Sequence, residues 1–346
     1  MNIFESRCKW LRTDKKTPCN FSITDDQGHN SLCDLQWQFR CVEWQKRHEP
    51  SLSQSSIKNY VLCRRKYWYS QIQGIELIKT PIKMMLGRIA AEILEKLHSK
   101  KSGDFDYRDI INQYKTQFEE EYGSDKLPTA LIAMEAFFSA YIDLGYHEMK
   151  GETEYRFEIQ EPDYPHITGY LDMLTYETHI GHEFKYTGSP NWYDLFTVKE
   201  QLGMYFLGVP GLSRISLRLL VRPQLRMAKN EGEEGYRERI CNDMKSRPTF
   251  YIRDRSFWRN EFDEDVLLER LKIISGEIVR YCQGGIESFY PSIPPVCFQV
   301  EERQCEFLNI CNSGTISDGL YQKKESSGRP KKEDKKEDKK DEDIWA

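Results

Sequence analysis

The stretch ITGYLDMLTYETHIGHEFKY, residues 167–186, decides how the rest of the chain is read. Ile167–Tyr176 and Ile180–Tyr186 are two apolar-rich segments of strand length, and the polar Glu177–His179 between them reads as a tight turn. Side chains alternate along a strand, so Glu183 and Lys185 share one face while Phe184 points to the other. An antiparallel hairpin then sets Asp172 alongside that pair. Two carboxylates and an ammonium thus fall into one small volume on rigid elements. Carboxylates held that close repel unless a cation neutralises them or one takes up a proton. Hard oxygen ligands on a strand pair suit Mg²⁺ or Mn²⁺, which keep several waters and accept phosphate oxygens. A neighbouring lysine can orient an attacking water, which completes the equipment for metal-assisted phosphodiester hydrolysis. The plain alternative is three surface charges on a half-exposed sheet, since an E-x-K triplet is common.

Outward from the hairpin, TEYRFEIQ (153–160) alternates with Tyr155, Phe157 and Ile159 on one face and predicts a preceding strand. Downstream, residues 194–207 return to helical spacing and ISLRLLV (215–221) predicts a further strand. On the N-terminal side the pattern is helical. Ser53–Ser56 offer N-caps for a helix through Cys63 and the following Arg-Arg-Lys-Tyr-Trp-Tyr, with Gly74 as its stop. A second helix is predicted from Lys83 to His98, with Leu86, Ile89, Ile93, Leu94 and Leu97 on one stripe. A third, around residues 130–149, is apolar nearly all round and reads as buried. The order is helices, three strands, a helix and a strand: an α/β fold.

The chain has 346 residues, 39% hydrophobic and 13% aromatic, which supports a sizeable core and excludes wholesale disorder. No apolar run reaches the roughly 18–20 residues of a membrane span, and no secretory h-region stands at the N-terminus, so a cytoplasmic protein is expected. The net charge of −5 argues against a generic DNA-coating protein but not against a nuclease with an acidic metal centre and local basic patches. Three regions are expected: a cysteine-rich arm over 1–49, an α/β domain over 50–312 and a charged tail over 313–346. Residues 329–343 carry seven basic and seven acidic side chains and bury nothing apolar.

In the hairpin and the helix after it, three short motifs stand in order: Gly169-Tyr170-Leu171-Asp172, Glu183-Phe184-Lys185, and Gln201 with Tyr205 four residues on. Here the chain resembles the PD-(D/E)xK nuclease superfamily, in particular its RecB-like branch. The resemblance implies a restriction-endonuclease-like core, a mixed sheet flanked by helices. It implies Asp172 and Glu183 as ligands of Mg²⁺ or Mn²⁺, with the Phe184 carbonyl added. Lys185 becomes the catalytic lysine, and Gln201 and Tyr205 organise the site or contact the DNA strand. One departure stands out: where the branch often carries a metal-binding histidine on the preceding helix, this chain has Ala91, with Glu92 beside it and Glu95 one turn on. That opens the alternative of a catalytically weak or inactive nuclease-fold subunit that binds DNA or serves assembly.

Ten cysteines in a chain expected in a reducing compartment point to metal before disulfides. Cys63, Cys297, Cys305 and Cys311 resemble the one-plus-three arrangement of iron–sulfur nucleases of the AddB type in the same branch, where a cysteine precedes an Arg-Lys-Tyr-aromatic segment. By that resemblance they hold a [4Fe–4S] cluster that staples the N-terminal helix to the C-terminal segment. Zinc in the same thiolates, or buried free thiols, are the alternatives. Cys8, Cys19, Cys33 and Cys41 have the count for a zinc site but irregular spacing, and equally suit unpaired thiols. Arg64, Arg65, Lys66 and Tyr67, and further on Arg253 and Arg255 beside Phe250 and Phe257, are candidate DNA contacts through phosphates and stacking. Arg214, Arg218 and Arg222 share a strand face that could run beside the DNA. The function expected is a metal-dependent deoxyribonuclease acting at single strands or ends, in repair, recombination or phage- or CRISPR-type processing, with a helicase or recombination complex as partner and no membrane.

Overall fold

The computed structural model describes residues 52–78, 81–100, 105–122, 128–160, 166–190, 199–284, 289–291, 305–317 and 319–323. Its centre is a mixed sheet. β1 (Leu52–Ser53), β3 (Glu152–Ile159), β4 (Ile167–Thr175), β5 (Ile180–Thr187), β6 (Arg214–Val221) and β7 (Ile252–Trp258) form it, while β2 (Ile75–Leu77) pairs separately with β8 (Tyr321–Lys323). β3 and β5 run antiparallel to β4, β6 runs parallel to β5, and β7 closes an edge antiparallel to β6.

Helices cover both faces. On one side lie α1 (Gln54–Leu62), α6 (Lys199–Gly208) and α9 (Glu264–Gly284), around a core containing Leu171, Leu202, Phe206, Ile215, Leu217 and Leu271. On the other lie α3 (Ile82–His98), α4 (Tyr107–Tyr122), α5 (Pro128–Asp143) and α7 (Glu233–Ser246), around Ile93, Phe137, Phe138, Tyr141 and Ile240. The alternation along β6 divides these cores: Leu217 and Leu219 face the first, while Arg218 and Leu220 face the second. α2 (Arg64–Tyr67), α8 (Pro248–Tyr251) and α10 (Leu308–Ser313) are single turns.

One sheet feature positions the site. β3 pairs with β4 from Glu152 to Ile159 with a break at Glu154, but on the opposite side of β4 the ladder to β5 ends at Met173–His182, and β1 joins only at Ile167 and Thr168. β4 and β5 therefore part company at Asp172 and Glu183, the first residues past the last pair. Gly169 stays close because a Cβ there would lie 2.2 Å from the ring of Phe157. That is the packing reason for a glycine three residues before Asp172.

The first predicted helix does not run through Cys63. The chain is extended there (φ −160°), with α1 ended by the Cys63 N–H on the Asn59 carbonyl; α2 follows and passes into a π-turn over Trp68–Ile72. Gly74 does end it, at φ +60°. β7, α7 and α9 were not anticipated. The cysteines of the N-terminal arm, Cys297 and the charged run 329–343 lie outside the described residues. Among the described residues no helix is long and apolar enough to cross a membrane.

Candidate active site

Where β4 and β5 separate, the Asp172 side chain enters the gap, and its Oδ2 accepts the Phe184 N–H at 2.7 Å. The carboxylate takes the place of the backbone acceptor that an unbroken ladder would supply. Glu183 is fully buried on the α6 face. The Tyr205 hydroxyl donates to its Oε2 at 2.6 Å, Gln201 Nε2 donates to its Oε1 at 2.8 Å, and Lys185 Nζ forms an ion pair with the same Oε1. Gln201 Nε2 also lies 2.6 Å from the Tyr205 hydroxyl oxygen. Helical spacing of four thus delivers both α6 side chains to one carboxylate. Asp172, Glu183, Lys185, Gln201 and Tyr205 come together as a single constellation.

Its electrostatics follow from crowding. Burial, then the neighbouring charge of Glu183, pushes the Asp172 carboxyl up to about 8, against a smaller opposing pull from Lys185. Tyr205 is held protonated, its phenol pushed well up by burial and by the same carboxylates, so it acts as a donor. Two acids this close, one of them short of compensation, form a site with room for positive charge. Among the described residues no three of His, Cys, Asp and Glu converge as a ready-made metal cage. Two carboxylates and a peptide carbonyl nevertheless suit magnesium, which is usually bound through one or two carboxylates with water and phosphate completing its shell. The donor set fits that ion.

Behind Asp172 lies a cavity of about 40 Å³, lined by Ala91, Glu95, Glu154, Phe184 and Tyr186 among others. It has room for about one water. Ala91 leaves it without an imidazole, and Glu95, one turn on, reaches it. Glu92 turns away and accepts the Tyr114 hydroxyl at 3.1 Å. Glu154 stands opposite Asp172 in the β3–β4 register and adopts φ +52°, which interrupts that ladder.

Most of the basic residues read as DNA contacts are engaged within the protein. Arg64 pairs with Glu277 and lies over the Tyr281 ring, Arg65 donates to the Phe289 carbonyl at 2.6 Å, and Lys66 pairs with Glu306. Tyr67 is buried and stacked on Phe289, which closes it to a base. Arg218 does not face an open DNA path: it forms a bidentate pair with Asp254 and points under α5. Arg253 and Arg255 lie over Phe250 and Phe257 near the sheet edge and keep solvent contact. Lys58 escaped the sequence reading. It projects from α1, and its ammonium is pushed below the usual lysine range by loss of water around it and then by the like charges of Lys185 and Lys66. That places it on the rim of the same site.

Cys63 and Cys305 are neighbours: burial, and to a smaller extent Cys63, pushes the Cys305 thiol up. Cys311 lies beside Tyr69. Both C-terminal cysteines pack against the core around Tyr69 and Phe307. The described cysteines form no three-ligand metal group.

No family model matches the chain, and no curated protein matches it. Among solved structures, a phage-related exonuclease from Haemophilus somnus 129PT aligns over 58% of this chain and 95% of its own, at 11% identity and a TM-score of 0.28.

Proposed function

We propose that the protein is a divalent-metal-dependent nuclease of the PD-(D/E)xK type, hydrolysing DNA phosphodiesters at single strands or ends. The observation that carries this reading is the meeting of Asp172 and Glu183 where two strands diverge, with Lys185 on the Glu183 carboxylate. Asp172, Glu183 and the Phe184 carbonyl would hold Mg²⁺ or Mn²⁺. Such an ion lowers the pKa of bound water and offsets charge on the phosphoryl oxygens. Tyr205 and Gln201 fix the Glu183 carboxylate in one orientation beside Lys185. Lys185 holds the attacking water beside the phosphorus and presents positive charge where hydroxide character develops. Lys58, and at the sheet edge Arg253 and Arg255, meet phosphates of the strand. A [4Fe–4S] cluster on Cys63, Cys305, Cys311 and Cys297 remains part of the proposal, as a staple rather than a redox centre. Aerobic or anaerobic preparations with iron and sulfide near four per chain would support it, and zinc alone would remove it.

A second reading rests on Ala91: without a nitrogen ligand at the cavity the site binds its ion weakly, and the protein acts chiefly as a DNA-binding or assembly subunit. The full chain, assayed on single- and double-stranded DNA with Mg²⁺, Mn²⁺ or EDTA, separates the two. Cleavage that needs the cation and disappears in Asp172→Ala and Lys185→Ala is the expected result. Binding without cleavage favours the second reading, and cleavage unchanged in both variants rejects the mechanism.

A further inference from the structure

Phe184 sits between the two proposed catalytic side chains, and its peptide N–H fixes Asp172. Its ring points to the opposite face of the sheet, where the fully buried His98, the last residue of α3, stacks on it with ring centres 4.8 Å apart and planes 9° off parallel. His98 is bonded at both nitrogens: Nδ1 lies 2.7 Å from the Met149 carbonyl and Nε2 lies 2.9 Å from the Tyr141 hydroxyl. A carbonyl only accepts, so Nδ1 carries the proton and donates. Arg218 Nη1 reaches the Tyr141 oxygen at 3.3 Å and can only donate to it. The Tyr141 proton is therefore directed to Nε2, and the neutral tautomer of His98 is set. Arg218 is held in turn by Asp254 at 2.7 and 2.9 Å. Phe184, Arg218 and Asp254 are consecutive partners across β5, β6 and β7, so the polar chain starts in the same sheet row as the ring it supports.

We infer that His98 is a positioning residue: its ring, locked by the directed chain Asp254–Arg218–Tyr141–His98–Met149, backs the Phe184 ring and so fixes the peptide that orients Asp172. The inference deepens the nuclease reading and rests on it for its catalytic consequence. Chemically, the arrangement resembles the outer hydrogen-bonded shell of a metal site, whose loss typically costs about 10–100-fold in affinity or activity. Here, however, the support reaches the ligand through a stacked ring and a peptide plane. Nothing in it touches substrate.

The test uses the full chain labelled with ¹⁵N-phenylalanine, comparing wild type with His98→Ala, His98→Gln and Tyr141→Phe. In His98→Ala the Phe184 amide should exchange about 10-fold faster or more, while Phe137 in the neighbouring core keeps its protection. In the cleavage assay kcat should fall about 10–100-fold with KM for DNA nearly unchanged. His98→Gln, which can both donate to Met149 and accept from Tyr141 but has no ring, should recover part of both readouts, and Tyr141→Phe, which keeps the ring, should fall between wild type and His98→Ala. If His98→Ala folds poorly, Tyr141→Phe, which removes one oxygen, decides alone. Unchanged Phe184 exchange in these variants, with only a lower melting temperature, overturns the inference. Absence of cleavage by the wild type rejects the nuclease reading separately, while the amide exchange still decides the positioning role.

Discussion

Replacing Asp172 with asparagine should stabilise the metal-free protein while abolishing its activity, and the stabilisation should grow with pH. In the fold the Asp172 carboxyl titrates at about 8, raised by burial and by Glu183, against about 3.9 in an unfolded chain. The sign follows from linkage: between those values the folded state holds a proton that the unfolded state has lost, so stability falls as pH rises from 4 to 8. At pH 7 the gap is about three pH units, and about 1.4 kcal/mol per unit gives a ceiling of ~4 kcal/mol. Asp172 keeps partial solvent contact, which reduces this to roughly 2 kcal/mol. Asparagine retains an oxygen for the Phe184 N–H and turns an amide donor rather than a charge toward Glu183. For a folded unit of this size ~2 kcal/mol corresponds to a rise of about 4–8 °C in Tm. The assay is thermal unfolding in EDTA from pH 4.5 to 8. The variant should lie nearest wild type at the acid end and exceed it by a margin that widens steadily from about pH 4.5 to 8. Millimolar Mn²⁺ at pH 8 should raise wild type and leave the variant unmoved. A variant no more stable than wild type at pH 8, or a constant offset across the range, would refute the argument that Asp172 sits beside Glu183 without enough compensating charge.

Tyr205→Phe removes a donor from the buried Glu183 and should cost about 1–3 kcal/mol in urea unfolding, together with roughly tenfold or more of the cleavage rate. Gly169→Ala drives a methyl into the Phe157 ring and should destabilise by about 1–3 kcal/mol; the Phe157→Leu double variant should recover part of it. Lys58→Gln should raise KM for DNA more than it lowers kcat, and should reduce the slope of log affinity against log salt by about one; an unchanged slope would place Lys58 off the phosphate path.

The site was legible in the sequence to the extent that it depends on local periodicity. Alternation put Glu183 and Lys185 on one face, and a spacing of four put Gln201 and Tyr205 on one side of a helix; the structure brings these residues together. What alternation does not encode is where a ladder stops. Asp172 binds the Phe184 N–H because β4 and β5 diverge after Met173 and His182, and that divergence depends on how β1 and β5 share one edge of β4. The same limit explains Arg218. Alternation puts Arg214, Arg218 and Arg222 on one strand face, but periodicity says nothing about which face a distant helix will cover, and Tyr141 of α5 covers Arg218. The break at Cys63 was equally hidden, since apolar residues at helical spacing (Ile57, Tyr60, Cys63, Tyr67) continue through it. β7 escaped because Arg253, Asp254 and Arg255 look like loop polarity, although an edge strand with charges outward is an ordinary way to blunt a sheet edge.

Glu183–Lys185 and the His98–Tyr141–Arg218 chain therefore form two halves of one arrangement, divided by the thickness of a single strand. The front half contains the groups with reach toward a substrate, and an E-x-K triplet announces them. The back half is contributed by residues 98, 141, 149, 218 and 254, separated by stretches of up to several dozen residues, and no motif can announce it. Past His182 the strand keeps its parallel ladder to β6 but has no partner on the β4 side, so packing on its two faces adds to what sets its position. Glu183 is held on one face by α6 and Phe184 on the other by α3. These paired clamps, together with the β6 ladder, keep the strand in place at the point of divergence, and a strand that cannot move away lets the two carboxylates stay close.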